Sequence, residues 1–239
     1  MRFVKAQTNG NDFIIILRKE EDSSITGEIA KLIADRYFGV GCDQVMELTK
    51  ITDTRYNINF FNADGGRAEM CGNGICAASL FIGRIILSRD RAELNFTVSD
   101  REYRTTIEDE EVTLFTEKPI FLHKDSEYQI LSTGNRHLVC NMKMVNLVID
   151  LKNKFPECNI HFIECIDEFV RMKTFERGVG WTKACGSGAL AVATSQNLQG
   201  SVKIIHDGGT SIVRSYDDNR VSLTVRPKLV FSGDFYDAS

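Results

Sequence analysis

The chain has 239 residues, of which 43% are hydrophobic and 26% charged, with a net charge of −4 at pH 7. That balance supports buried cores for one large or two ordinary domains, and the scattered basic residues argue against a nucleic-acid footprint. The opening apolar run Phe13–Leu17 is too short for a leader core or a membrane span, and seven cysteines without a regular framework point to a reduced, cytoplasmic protein.

In chain order, Phe13–Leu17 reads as a strand and Thr26–Tyr37 as a helix with Ile29, Leu32, Ile33 and Tyr37 on one face, broken by Gly39 and Gly41. Strands are expected at Val45–Lys50 and Tyr56–Phe61. A helix opened by Cys71 follows, then a meander over Glu93–Val98, Arg101–Ile107 and Glu111–Phe115. Beyond a change of unit near Lys118–Pro119, strands are expected at Tyr128–Ser132, His137–Asn141, Asn159–Ile166 and Val170–Phe175. A helix opened by Cys185 comes next, with closing strands near Val202–Ile205, Ser211–Arg214 and Val221–Val225.

The order repeats. Gly10-Asn11 and Gly134-Asn135 each precede a strand, an N-I-x-F segment recurs (Asn57–Phe60, Asn159–Phe162), and C-G-[N/S]-G occurs at Cys71 and at Cys185. The two cysteines stand close to half a chain length apart, and three correspondences in the same order favour an ancient duplication. Both cysteine helices are apolar nearly all round, as buried helices are. The expected fold is therefore α+β: two pseudo-symmetric half-domains, each a mixed sheet curled into a barrel around a central helix. The first would span 1–117, with 229–239 available to complete it, and the second 118–228, the active site lying in the cleft between them.

A thiol at a helix start feels unpaired backbone N–H groups and the helix dipole, which lower its ordinary pKa of about 8.5. Gly72 and Gly186 let those amides approach an anion closely. Two such starts gripping one carboxylate would put thiols on opposite faces of the attached carbon, and the amides would stabilise the carbanion-like transition state. One cysteine as thiolate would remove the α-proton while the other, as thiol, delivers one to the far face. No lysine stands in a pyridoxal-phosphate context, so no cofactor is expected. The C-x2-C and C…H spacings of a zinc site are missing, so no metal is expected either. Core filling is the expectation for Cys42, Cys76, Cys140, Cys158 and Cys165. A Cys–His–Asn hydrolase using His137 remains a rival, but it leaves the second C-G-x-G unexplained.

These residues carry a resemblance. GNDF (Gly10–Phe13), RYFGVGCDQ (Arg36–Gln44), FNADGGRAEMCGNG (Phe61–Gly74), TGNRH (Thr133–His137), NIHF (Asn159–Phe162) and TFERGVGWTKACGSGA (Thr174–Ala189) together resemble the diaminopimelate epimerase family over most of the chain. The resemblance implies a cofactor-independent two-cysteine epimerase with Cys71 and Cys185 as bases. It implies that the amides of Gly72, Asn73, Gly186 and Ser187 hold the reacting carboxylate, and that Glu176 takes the α-ammonium. Asn62, Asn135, Asn159 and Arg177 would bind the distal amino-acid head, Asn11 and Gln44 would line the cleft, and His137 would support the thiol chemistry. A planar guanidinium suits a second carboxylate, and carboxamides offer both donors and acceptors for a second ammonium.

The chain departs from the family at Gln7, Thr8, Cys76, Arg136 and Trp181, and is shorter between Asn141 and Asn159. The expected activity is interconversion of LL- and meso-diaminopimelate in lysine and cell-wall biosynthesis. The expected partner is that small amino acid, with neither nucleic acid nor membrane, and a homodimer is left open. The alternatives are a racemase of another amino acid by the same mechanism, a non-catalytic amino-acid-binding relative, and a thiol–disulfide protein lacking the usual C-x-x-C.

Overall fold

A computed structural model describes residues 1–19, 23–197 and 200–236. Its elements in chain order begin with β1 (Arg2–Thr8), β2 (Asn11–Arg18), α1 (Gly27–Ala34), β3 (Gln44–Thr52), β4 (Arg55–Asn62) and the short β5 (Arg67–Ala68). Helix α2 (Gly72–Phe81) runs into a π-helical turn at Ile82–Ile86, followed by β6 (Arg91–Val98), β7 (Arg101–Glu108) and β8 (Glu111–Glu117). Next come β9 (Ile120–Lys124), β10 (Tyr128–Ser132), β11 (Arg136–Asn141), a 3-10 turn at Met142–Leu147, α2's successor α3 (Val148–Lys154), β12 (Cys158–Ile166), β13 (Phe169–Glu176) and β14 (Gly180–Thr182). The remainder is α4 (Gly186–Ser195), β15 (Ser201–His206), β16 (Gly209–Ser215), β17 (Arg220–Val225) and β18 (Lys228–Asp234). Two units result, Met1–Leu114 with Arg226–Ser239, and Phe115–Val225.

Each unit is a mixed sheet with the same internal wiring. In the first, β18 pairs antiparallel with β1, β1 antiparallel with β2, β2 parallel with β3, β3 antiparallel with β4, β4 parallel with β6, and β6 antiparallel with β7. The second follows the same order: β9/β10 and β10/β11 antiparallel, β11/β12 parallel, β12/β13 antiparallel, β13/β15 parallel, β15/β16 antiparallel. Parallel pairs need crossovers, and each unit makes its two with helices: α1 and α2 in the first, α3 and α4 in the second. Mixed sheets with a few helices crossing between their parallel strands make an α+β fold.

The central helices obey their composition. All ten residues of α2 are buried, as are all those of α4 except half-buried Ser187. Helix α2 packs on β1, β2, β7 and β18, and α4 on β10, β11, β12, β16 and β17. Strand β2, covered on both faces, reads as a continuous apolar run. Ile14 and Ile16 join the cluster under α1, whereas Phe13 approaches Gly74 of α2.

Some expectations change. The helix expected over Thr26–Tyr37 ends at Ala34, because Asp35 turns extended and its Oδ1 accepts from the N–H groups of Tyr37 (2.7 Å) and Phe38 (2.8 Å). Its buried residues are Ala30, Ile33 and Ala34, while Leu32 and Tyr37 are exposed. The segment 142–154, for which no element was expected, forms the second unit's outer crossover. Met142, Met144, Val145 and Val148 pack there on Leu138, Ile160 and Phe162. The N-I-x-F recurrence is not a structural equivalence, since Asn57 lies on β4 whereas Asn159 lies on β12, the counterpart of β3. Cys165 is exposed rather than core, in contrast to Cys42, Cys76, Cys140 and Cys158. Residues 237–239 of the expected closing strand lie outside the described residues.

Candidate functional site

The two cysteines adopt one local geometry. Each is the N-cap of its helix, Cys71 with φ −134° and ψ 109°, Cys185 with φ −132° and ψ 112°. Neither start has a side-chain cap bond or an acidic residue in its first turn. The leading N–H groups have no intrahelical acceptor, the geometry with which helix starts can receive an anion. Gly72, Asn73, Gly186 and Ser187 form those first turns. Cys71 is half-buried and Cys185 is 6% exposed.

Around Cys71, the Gly10 turn (φ 84°) delivers Asn11 at the head of β2, and Asn11 Oδ1 lies 3.6 Å from Cys71 Sγ. Asn11 Nδ2 donates to Asp43 Oδ2 at 2.9 Å. Asp43 is held by Arg36 (2.9 Å), whose guanidinium also forks onto Asp12 at 2.8 and 3.1 Å, with Lys5 on Asp12 at 2.6 Å. Burial would raise the Asp12 carboxyl, but its bonds from Arg36 and Lys5 outweigh that and hold it down at about 2. Gln44 Nε2 donates to Asn62 Oδ1 at 3.0 Å, the two facing across β3 and β4. The Thr8 hydroxyl donates to the Asn73 carbonyl at 3.0 Å.

Around Cys185, the Gly134 turn (φ 103°) leads through half-buried Asn135 into β11. Asn159 Oδ1 accepts from the Arg177 backbone N–H at 2.9 Å, and Glu176 Oε1 accepts from the Thr182 hydroxyl at 2.7 Å. Arg177 is exposed, and Cys185 Sγ lies 3.5 Å from Ser187 Oγ. His137 is fully buried with Nε2 2.9 Å from Thr133 Oγ1 and Nδ1 2.9 Å from His161 Nε2, and His161 Nδ1 is 3.2 Å from Thr174 Oγ1. Burial pushes His137 down to about 3, and burial followed by the neighbouring imidazoles pushes His161 well below its ordinary value. Both rings are thus neutral at physiological pH.

Sequence reasoning placed Cys71, Asn11, Gln44, Asn62, Gly72 and Asn73 in one unit, and Cys185, Asn135, His137, Asn159, Glu176, Arg177, Gly186 and Ser187 in the other; the contacts above link several members within each set. It missed His161, Thr133, Thr174 and the Asp12–Arg36–Asp43 cluster. A lone histidine in an apolar strand carries no pattern, although NIHF and GCDQ contain His161 and Asp43. Spacing likewise hid a donor group: one nitrogen each of His137 and His161 and the Cys185 sulfur all lie within 4.8 Å of one another. All four ring nitrogens are already engaged in hydrogen bonds, so the trio is a hydrogen-bonded wall beside the sulfur and not a set of metal ligands. The hydrogen bond between the rings already accounts for their approach.

The remaining thiols are poor nucleophiles. Burial pushes Cys42 and Cys140 up to about 12 and Cys158 to about 11, and raises Cys76 further. Arg136 is exposed and ion-paired with Glu157 at 3.2 Å. Trp181 packs against Phe162 and Phe175, with ring centroids 5.8 and 5.5 Å away. No helix among the described residues is long and apolar enough to cross a membrane.

Residues 3–122 match the family model described as diaminopimelate epimerase. The chain is 31% identical to the diaminopimelate epimerase of Teredinibacter turnerae, covering 98% of both chains, and 32% identical to that of Microcystis aeruginosa, covering 97% of both. Among solved structures it resembles a predicted epimerase from Pseudomonas aeruginosa (TM-score 0.79, 10% identity, 99% of both chains). A hydroxyproline epimerase from Agrobacterium vitis, solved with trans-4-hydroxy-L-proline, gives a TM-score of 0.73 at 10% identity over 98% of this chain and 91% of the other. At such identities the structural likeness speaks for the fold alone.

Proposed function

The chain belongs to the diaminopimelate epimerase family, and from that premise we propose that it interconverts LL- and meso-2,6-diaminopimelate, in lysine and peptidoglycan biosynthesis, by a two-thiol mechanism without an organic cofactor. The observation that carries the proposal is the matched pair of N-cap cysteines, one per repeat, with backbone angles agreeing within 3°. A core cysteine needs no such duplicate. A two-base epimerisation needs two equivalent acid/base groups, each beside an anion-binding helix start.

In this mechanism the amides of Gly72, Asn73, Gly186 and Ser187 bind the α-carboxylate and take up the negative charge that develops as the α-proton leaves. One thiolate, Cys71 or Cys185, removes that proton, and the other thiol protonates the opposite face. Each turnover exchanges their protonation states. Glu176, already a hydrogen-bond acceptor, takes the α-ammonium. Asn62, Asn135, Asn159 and Arg177 take the distal amino-acid head, with Asn11 and Gln44 lining the approach and His137 supporting the adjacent thiol. The pairing of Arg136 with Glu157 supports diaminopimelate over a shorter amino acid, because that departure from the family has its charge matched on the surface.

The test is incubation with LL-diaminopimelate in deuterium oxide under reducing conditions, beside lysine, histidine, glutamate and proline. The expected result is α-deuterium uptake with epimerisation of diaminopimelate alone, abolished by Cys71→Ala and by Cys185→Ala. Turnover of proline or lysine instead would replace the substrate, and activity surviving either substitution would overturn the mechanism.

A further inference from the structure

The two repeats differ at one place that bears on their thiols. In the first, a Cβ at Gly74 would meet Phe60 Cε1 at 2.6 Å, Met46 Sδ at 3.0 Å and Phe13 Cε1 at 3.3 Å. In the second, a Cβ at Gly188 would meet the His161 ring at 2.4, 2.7 and 2.9 Å. The registers make these walls equivalent. Phe13 pairs with Gln44 as His137 pairs with Asn159, so Met46 occupies the place of His161. Phe60 and Thr174 stand two residues before the ends of β4 and β13. Three apolar side chains behind the first cysteine helix are thus replaced behind the second by two imidazoles and a hydroxyl.

We propose that this substitution makes the resting enzyme asymmetric, with the thiolate on Cys185 and the proton on Cys71, and that His161 is the positioning residue responsible. The inference rests on the two-thiol reading above. Two neutral imidazoles joined by one hydrogen bond share a single proton between Nδ1 of His137 and Nε2 of His161. Because Thr133 and Thr174 occupy the outer nitrogens, the four groups form a chain with only two concerted proton arrangements. In either arrangement one nitrogen of each ring lies within 4.8 Å of the Cys185 sulfur, so the sulfur faces a polar wall rather than an apolar one. Burial alone would keep that sulfur protonated; a polar, reorganisable wall offsets the cost of charging it. Cys71 meets the opposite situation. Asn11 turns its carbonyl oxygen to the sulfur, an acceptor that a thiol can satisfy and a thiolate cannot.

His137 and His161 are the titratable groups placed beside Cys185, and others of the same unit lie on neighbouring elements. His137 lies on β11, His161 on β12, Glu176 at the end of β13 and His206 on β15, with Lys183 two residues before the thiol. His206 Nε2 is engaged by Ser211 of β16 at 3.0 Å, and its charge when protonated acts on His161.

The test is ultraviolet titration of thiolate absorbance in the full chain, which needs no turnover. The lowest-pH thiolate step is expected to survive Cys71→Ser and vanish in Cys185→Ser. His161→Met, which copies the wall of the first repeat, is expected to raise that step by about one pH unit, a tenfold loss of thiolate. His161→Asn, which keeps an amide donor, should recover part of the shift. Thr174→Val, a milder break of the same chain, should move it in the same direction and serves if the methionine variant misfolds. A lowest step that follows Cys71, or one unmoved by both His161→Met and Thr174→Val, overturns the proposal. Because the titration is independent of catalysis, failure of the epimerase assay with the expected titration would sink the activity and leave the asymmetry standing.

Discussion

Asn11 Nδ2 donates to Asp43 Oδ2 at 2.9 Å, and that bond decides which end of the Asn11 amide faces Cys71. A carboxylate only accepts, so the amide nitrogen is committed to Asp43 and the carbonyl oxygen to the thiol. Asp43→Asn offers both a donor and an acceptor and frees the amide to flip. The expected outcome is a fall in kcat/KM for diaminopimelate of roughly ten- to a hundredfold, the scale of a misplaced group near the reacting centre. Steady-state kinetics beside a thermal melt checks it; full activity with a normal melt would show that Asn11 needs no such orientation.

Gly188 should be intolerant of a methyl group. A Cβ there lies 2.4 Å from His161 Cε1, closer than real contacts allow. Alanine favours a helix by about 1 kcal/mol, whereas overpacking a buried ring costs about 1–3 kcal/mol, so the clash wins. Gly188→Ala is expected to lower unfolding free energy by about 1–2 kcal/mol. The same change in a His161→Ala background should cost much less, since the ring it meets is gone. Urea unfolding of the four-protein cycle measures the coupling, and equal costs in both backgrounds would refute the contact.

Acid should destabilise the second unit before it reaches any carboxylate. His137 is held down to about 3 and His206 to about 4, both by burial, and His161 is also pushed well below its ordinary value. In the unfolded chain each titrates near pH 6.5. Between that pH and the folded values the unfolded state binds more protons, so stability is full above about 6.5 and is lost as pH falls toward 4. Each histidine contributes a slope of about 1.4 kcal/mol per pH unit in that window. Unfolding curves from pH 7 to 4 should show it, and His206→Gln should flatten it by about one proton.

Trp181 is the only tryptophan, half exposed against Phe162 and Phe175 and four residues before Cys185. Its emission should shift when diaminopimelate binds, and the titration should saturate with the substrate's KM if binding is fast. Proline at equal concentration should leave the spectrum unchanged. A flat titration with diaminopimelate in a turning-over enzyme would place the ring outside the region that ligand orders.

How much was legible follows from what each signal needs. The duplicated C-G-x-G, the apolar strands and the all-apolar helices are local patterns with local causes: glycine where a ring or an anion comes close, no polar face where a helix is buried on every side. Those read directly from the residues. The 142–154 crossover did not, because its apolar residues switch from a 3-10 to an α spacing and show neither period cleanly. Likewise N-I-x-F on β4 and on β12 looked like one repeat and proved to be two different strands, since four residues do not specify a partner.

By itself, then, the sequence determined the two thiols, their helix starts and the family. Only the tertiary structure decided what stands behind each thiol. His137, His161 and Thr174 are far apart in the chain and share a wall only because β11, β12 and β13 pair in register. Cross-strand register is a long-range property, and it alone converts three unremarkable side chains into one hydrogen-bonded chain beside a sulfur.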